Sequence, residues 1–192
     1  MNQSKTGKFV LRLCVTAMMA ALVFLGSKLE IQIPSILGFT RFHLGNIMCA
    51  LSGILLGPWW GGLAAGLGSM FYDLTSPAFA SEFLVTFISK GLYGLVAGVF
   101  FVYIFKKRES YVPMLVSTFA GAVYYIIFYL GKTYFYKGLF LGGLTPSAAW
   151  VATVAKMPSS FFNGAVAIII APLLGLAIRK ALRAAHLERA VV

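Results

Sequence analysis

Apolar residues fill long stretches of the chain, and the polar ones gather at the ends of those stretches or in narrow stripes within them. About 20 consecutive apolar residues suffice for an α-helix to cross the hydrocarbon core of a bilayer. The pattern predicts six membrane-spanning helices, at about Phe9–Leu29, His43–Leu56, Trp59–Leu74, Phe83–Phe105, Tyr111–Tyr134 and Ala148–Leu176. The second and third are short. They are joined by Gly57-Pro58, a breaker pair that leaves almost no loop, and so form a tight helical hairpin. The connections Glu30–Arg41, Thr75–Glu82 and Phe135–Ser147 are polar or rich in Gly and Pro. The expected fold class is an all-α integral membrane protein, a six-helix bundle forming a single transmembrane domain over residues 1–192.

Composition agrees with that class. Sixty per cent of the residues are hydrophobic and 11% are charged, against about 25% charged in a soluble domain; the mean hydropathy is +0.88. Neither a P-loop nor a GxGxxG after a strand is present, so an energy source lies with a partner or an ion gradient. Ten of the 16 basic residues fall at three places: Lys5, Lys8 and Arg12; Lys106, Lys107 and Arg108; and Arg179, Lys180, Arg183 and Arg189. With six spans those places share one side. The positive-inside rule then puts both termini in the cytoplasm and the three polar connections outside. The net charge of +11 is thus mainly an orientation signal. Basic residues tied to span ends do not form a nucleic-acid surface, and anionic lipid headgroups suffice as their partners. A secretory signal peptide is not expected. The first apolar run is longer than the roughly 7–15 residues of such a segment, and no A-x-A site precedes Lys28 and Glu30. Cys14 and Cys49 sit in apolar helix as small hydrophobes.

Against this background three lysines stand out. Lys90, Lys132 and Lys156 lie in or at the edge of apolar spans, where a cation costs at least about 2.5–3.5 kcal/mol and so requires partners. On the sixth helix Thr153, Lys156, Ser160 and Asn163 follow i, i+3, i+7, i+10 spacing and share one face, with Pro158 interrupting the backbone ladder beside them. Tyr125, Tyr129, Lys132 and Tyr136 fall on one broad face of the fifth, and Glu82, Thr86 and Lys90 drift round the fourth. Lys156 with Ser160 and Asn163 is the leading site candidate, and Lys90 follows. Lys132, near a span end, also fits snorkelling or pairing with Glu82 or Asp73. Trp150, Tyr125 and Tyr129 are candidates for stacking on a ring system. Arg41, His43 and Asn46, at the outer end of the second helix, complete the set. The outer half carries six cations against three carboxylates, which suits a small polar or anionic ligand. Close helix approach is expected at the small-residue pairs Ala17/Ala21, Gly62/Gly66 and Gly94/Gly98. The glycine pairs read as internal contacts, whereas Ala17/Ala21, beside a cytoplasmic basic cluster, also fits an outside partner helix.

Two elements carry a family resemblance. The segment Ala17-Met-Met-Ala-Ala21 and the run from His43 to Asp73 containing Leu-Leu-Gly-Pro-Trp-Trp-Gly-Gly-Leu-Ala-Ala-Gly-Leu-Gly-Ser resemble the substrate-binding S component of energy-coupling factor (ECF) vitamin transporters, over essentially the whole chain. The resemblance implies a high-affinity membrane subunit of a prokaryotic plasma membrane that captures a water-soluble vitamin or precursor from outside. It implies that Glu30–Phe42 is a lid, that Ala17 and Ala21 dock a membrane T component carrying two ATP-hydrolysing subunits, and that the ligand lies among the fourth to sixth helices. It implies no cofactor bound by this chain, since ATP is used by the partners, and no metal. The substrate stays open: the lysines lean toward carboxylates or phosphates, as in pantothenate- or folate-like ligands, with riboflavin, pyridoxine, cobalamin or a precursor also compatible. The alternative is an autonomous secondary transporter or channel for a small polar or anionic solute, which needs a titratable relay for which Asp73 and Glu82 are the outer candidates. No catalytic site is expected. HExxH and GxSxG are absent and His186 lies in the tail, while His43 reads as a polar anchor or ligand contact.

Overall fold

The computed structural model describes residues 5–36 and 38–185. Arg189 and His186 therefore lie outside the described residues, as does Leu37 within the expected lid. Helix α1 (Lys5–Lys28) leads into an antiparallel hairpin, β1 (Glu30–Ser35) and β2 (Gly38–His43). Then come α2 (Gly45–Leu56), α3 (Pro58–Leu74), a 3₁₀ turn over Ala80–Glu82, α4 (Phe83–Val99) and α5 (Tyr111–Gly131), followed by α6 (Pro146–Val154) and α7 (Met157–Ala184). Wide π-type turns extend α4 over Phe100–Ile104 and α5 over Lys132–Leu141. Among the described residues four helical stretches are long and apolar enough to cross a membrane, Phe9–Lys28, Ala80–Ile104, Tyr111–Leu141 and Pro146–Ala184.

Helix α2 has 12 residues, about 18 Å at 1.5 Å per residue, short of a bilayer core. Its surroundings explain that length. All of its residues except Met48 are buried, enclosed by α1, α3, α4 and α7. A helix apolar on every side belongs inside a protein. Gly57, with φ +80°, closes α2, and Pro58 opens α3 without an intervening loop, as the breaker pair predicts. The glycines of α3 and α4 let their backbones approach. A Cβ at Gly98 would come within 2.7 Å of the Pro58 backbone, and one at Gly62 within 2.9 Å of the Gly91 carbonyl. Phe9, Leu13, Met18, Leu22 and Leu25 of α1 are exposed, the arrangement expected of a lipid-facing surface.

Three expectations are corrected. The Glu30–Arg41 connection is a β-hairpin, a two-stranded ribbon added to an otherwise all-α bundle. The alternation Glu30-Ile31-Gln32-Ile33 suits a strand, and Pro34 is tolerated because β1 is an edge. The fifth helix runs past Tyr134 to Leu141, since no proline intervenes and the single glycines Gly131 and Gly138 do not stop it before Gly142-Gly143, where Gly143 has φ +57°. The sixth breaks at Ala155-Lys156. Pro158 cannot continue the hydrogen-bond ladder, and it sits instead in the first turn of α7, where its missing N–H costs nothing.

The end of the bundle away from the hairpin is held by a buried arginine. Arg179 Nη2 donates to the Ile54 carbonyl at 2.7 Å, and Nη1 to Glu109 at 3.0 Å. The first bond satisfies one of the orphan carbonyls at the C-terminus of α2. Arg183 joins the same carboxylate.

Candidate functional site

At the hairpin end, β2 lies across the mouth formed by the ends of α3, α4, α5 and α7. Arg41 points inward from β2. Its Nη2 donates to Asp73 at 3.0 Å, its Nη1 stands 4.0 Å from Glu30, and the guanidinium packs 4.2 Å from the Phe79 ring centre and 4.9 Å from that of Tyr72. Asp73, at the end of α3, is 1% exposed. The Tyr72 hydroxyl donates to Glu30. Facing this group, Glu82 takes Lys132 on one carboxylate oxygen and Lys137 on the other. Lys132 is therefore a paired cation, one of the two options its place in the sequence allowed.

Lys90 lies deeper. It is 2% exposed, donates to the side-chain carbonyl of Asn46, and stands 4.0 Å above the Tyr125 ring. Asn46, itself buried, meets the requirement for a partner to an intramembrane cation. Tyr125 is sandwiched between Tyr93 and Tyr129, with centroids 5.7 and 5.9 Å apart and interplanar angles of 20° and 26°. These near-parallel rings form an aromatic wall on the α5 side.

The stripe of α6 and α7 is brought together as its spacing predicts, with Thr153, Lys156, Ser160 and Asn163 all buried. What it faces is β2. Lys156 Nζ donates to the Phe39 carbonyl at 3.4 Å, Asn163 Nδ2 donates to the Arg41 carbonyl at 2.9 Å, and Asn163 Oδ1 accepts from the His43 N–H at 3.0 Å. Ser159 Oγ donates to the Lys156 carbonyl, and so accepts from Thr40 Oγ1 at 2.6 Å. Ser160 Oγ donates to the same Lys156 carbonyl at 3.0 Å. His43 accepts the Gly45 N–H on Nδ1 at 3.0 Å. Burial pushes its imidazole well below the usual range, and the Lys90 and Arg41 charges add to this, so the ring is neutral and able to accept.

Two narrow cavities open between these groups. One lies among Arg41, Asp73, Glu82, Tyr129, Lys132 and Lys156, and the other among Arg41, His43, Tyr125, Ser160 and Asn163. Each offers about 20 Å³ to water, close to the space of one molecule. A third opening, of about 500 Å³, lies outside the hairpin between Ile33–Ile36 and Pro158. Thr40 and Ser159 line it, and Ser159 also lines the inner cavity.

Trp150 stands apart from this group. It is 56% exposed and touches Tyr134 edge-on, because the buried side of α6 is the one carrying Ala149, Ala152 and Thr153, and Trp150 projects about 100° away from Ala149. Ala17 and Ala21 are exposed on α1. The sequence offers Glu82 or Asp73 as a partner for Lys132, of which Glu82 is the one found, and gives no sign of Thr40, Ser159 and Phe79. Asp73 instead belongs to Arg41, a pairing that depends on the hairpin and has no helical spacing to reveal it. Among the described residues no cluster of three or more His, Cys, Asp or Glu is placed to hold a metal ion.

Comparison with known proteins agrees with this architecture. A crystal structure of the S component for biotin from an ECF-type ABC transporter superimposes with a TM-score of 0.53, covering 90% of this chain and 94% of that one at 17% identity. At that identity the likeness shows the fold. A Pyrococcus woesei protein described as "Uncharacterized protein in gap 3'region" is 32% identical over 109 residues, 57% of this chain and 68% of that protein. Residues 9–180 match the profile of the family described as ECF-type riboflavin transporter, S component, a transporter component rather than an enzyme. With a matching bundle and a match over nearly its whole length, the chain belongs to the ECF-type riboflavin transporter S component family.

Proposed function

We propose that the chain captures riboflavin or a close relative beneath β2 and passes it to a T component driven by two ATPase subunits. Family membership over residues 9–180 carries this reading. The site's chemistry supports it. A flat ring system suits Tyr129, at the open end of the stack whose inner ring is Tyr125, and its polar edge suits the Arg41–Asp73 pair. Lys132, Lys137 and Lys156 supply cations for a hydroxylated or phosphorylated tail. Accordingly Arg41, Asp73, Tyr125, Tyr129, Lys132, Lys156 and Ser160 form the ligand-facing set, while Lys90, Asn46 and His43 support it from behind. Orientation follows the positive-inside rule: both termini face the cytoplasm of a prokaryotic cell and the hairpin faces outside. The exposed Ala17 and Ala21 then present a small-residue face on α1 to the T component.

Two measurements test this. The purified chain should quench flavin fluorescence on binding riboflavin, since stacking on tyrosine opens a non-radiative path; absence of binding, with biotin and pantothenate as comparisons, sinks the substrate. Changing Ala17 and Ala21 together to Trp should abolish uptake into cells expressing the whole transporter while leaving binding by the isolated chain intact. Intact uptake removes the docking face, and uptake by vesicles lacking any ATPase points to an autonomous carrier.

A further inference from the structure

The outer face of the α3–α4 pair holds a groove of about 320 Å³. Its floor is the contact of Gly62 with Gly91, where a Cβ at Gly91 would come within 3.3 Å of the Gly62 carbonyl. Its rim is Trp59 and Leu63 on one side and Ile88 and Leu95 on the other, and no charged side chain lines it. Trp59 is 73% and Ile88 52% exposed. A partner helix approaches closely over small residues, but here the glycines already meet each other, beneath a rim of large side chains. A flexible acyl chain fits such a groove where a helix backbone does not.

The turn that follows α4 supplies a charge for the other end of such a lipid. Lys106, Lys107 and Arg108 are all exposed. Lys106 and Lys107 have φ of +49° and +57°, and the Lys107 N–H closes the helix by donating to the Phe101 carbonyl at 2.9 Å. Glycine takes this conformation without steric cost and is the usual residue at such a helix end; two lysines keep positive charge there instead. Among the described residues no carboxylate pairs with any of the three, and Glu109 beside them is shared by Arg179 and Arg183. Gly91 and Lys106 are 15 positions apart, about 22 Å of helix, which matches the depth of one leaflet with its headgroups. Tyr103, 64% exposed, and Trp59 stand between them, as aromatic side chains do at a membrane interface. We propose that groove and turn together bind one anionic phospholipid of the cytoplasmic leaflet, its acyl chain over Gly62 and Gly91 and its phosphate at Lys106 and Lys107. The choice of leaflet rests on the orientation given above; the site itself does not depend on which ligand the outer cavities take.

The test uses the full chain in mixed phosphatidylglycerol–phosphatidylcholine vesicles, with Trp60→Phe and Trp150→Phe leaving Trp59 as its sole tryptophan. Brominated phosphatidylglycerol should quench Trp59 fluorescence more than an equal fraction of brominated phosphatidylcholine. At low salt the affinity ratio read from the quenching should fall by about fivefold in Lys106→Gly and about 25-fold in Lys106→Gly/Lys107→Gly. Lys106→Arg/Lys107→Arg should keep it. Glycine suits the backbone at both positions, so the glycine variant should unfold no more readily than the parent, and its lost preference is then not a lost fold. Equal quenching by the two lipids, or an unchanged ratio in the glycine variant, overturns the site. So does the same preference at a tryptophan placed by Leu173→Trp on the exposed face of α7, with Trp59→Phe added, since that reports general enrichment of the leaflet. Loss of the preference on adding inorganic phosphate at constant ionic strength makes this a site for the free ion and overturns the lipid. Absence of quenching by either lipid means that a second copy of the chain covers the groove, which overturns it equally.

Discussion

Lys90 and Asn46 form a pair whose energetics are open to calculation. The ammonium is 2% exposed and donates to the Asn46 carbonyl, with the Tyr125 ring 4.0 Å away. Asn46→Leu removes the acceptor and fills the space with a side chain of similar size. The cation is then left with the ring face, worth about 2 kcal/mol when desolvated. Loss of the hydrogen bond to a buried charge should cost about 3 kcal/mol. In a chain of this length that is roughly a 6–12 °C fall in midpoint. Lys90→Met instead removes the charge and leaves a neutral amide short of one partner, a loss of about 1–2 kcal/mol. The double variant replaces the polar pair by an apolar one, and should return to within about 1 kcal/mol of the parent. The singles therefore sum to more than the double, with a coupling of at least about 3 kcal/mol. Unfolding of all four proteins in one detergent, followed by heat and by denaturant, measures it. Additive losses, or a Lys90→Met variant less stable than Asn46→Leu, refute the reasoning. Unchanged stability in Lys90→Met with lost flavin binding would place Lys90 against the ligand instead.

Two further outcomes follow from the charge arrangement. Glu82→Gln frees Lys132 and Lys137 from their shared carboxylate, so the preference for riboflavin 5′-phosphate over riboflavin should rise by about tenfold at low salt and shrink at high salt; an unchanged ratio of dissociation constants places the phosphate elsewhere. Arg179→Met deprives both the Ile54 carbonyl and Glu109 of a buried donor and should cost about 3 kcal/mol. Arg183→Met, whose side chain is 54% exposed, should cost under about 1 kcal/mol; equal losses in thermal unfolding would show that the Ile54 contact does not hold α2.

Much of the bundle could be read from the chain because lipid imposes a length and an apolar surface on each span. The Gly57-Pro58 junction was legible for a local reason: neither residue permits the helix to continue, and both lie where α2 stops. The hairpin was harder. Its strand signal is four alternating residues, Glu30 to Ile33, in a segment whose polarity also fits a loop, and a two-stranded ribbon of that size depends on what it packs against. The break before α7 was signalled by Pro158, but a proline inside an apolar run can kink a helix or start a new one. The contacts of Lys156 and Ser159 with β2 stabilise the second outcome here.

The polar stripe through Lys156, Ser160 and Asn163 shows how far helical spacing reaches. Period and burial identified a face that must meet something polar, and the structure brings those residues together on one side of α7. Spacing carries no information about what covers a face. A ligand's amide edge and a strand's free edge present the same alternation of carbonyl and N–H, so an asparagine suited to one is suited to the other. The choice between them depends on where residues 39–43 go, more than a hundred positions away in the chain. The same ambiguity explains Lys90. An intramembrane cation demands a partner, and Asn46, reached only once α2 is enclosed by its neighbours, supplies it from within the protein. The pairing of Arg41 with Asp73 likewise exists only because the hairpin folds back over the bundle.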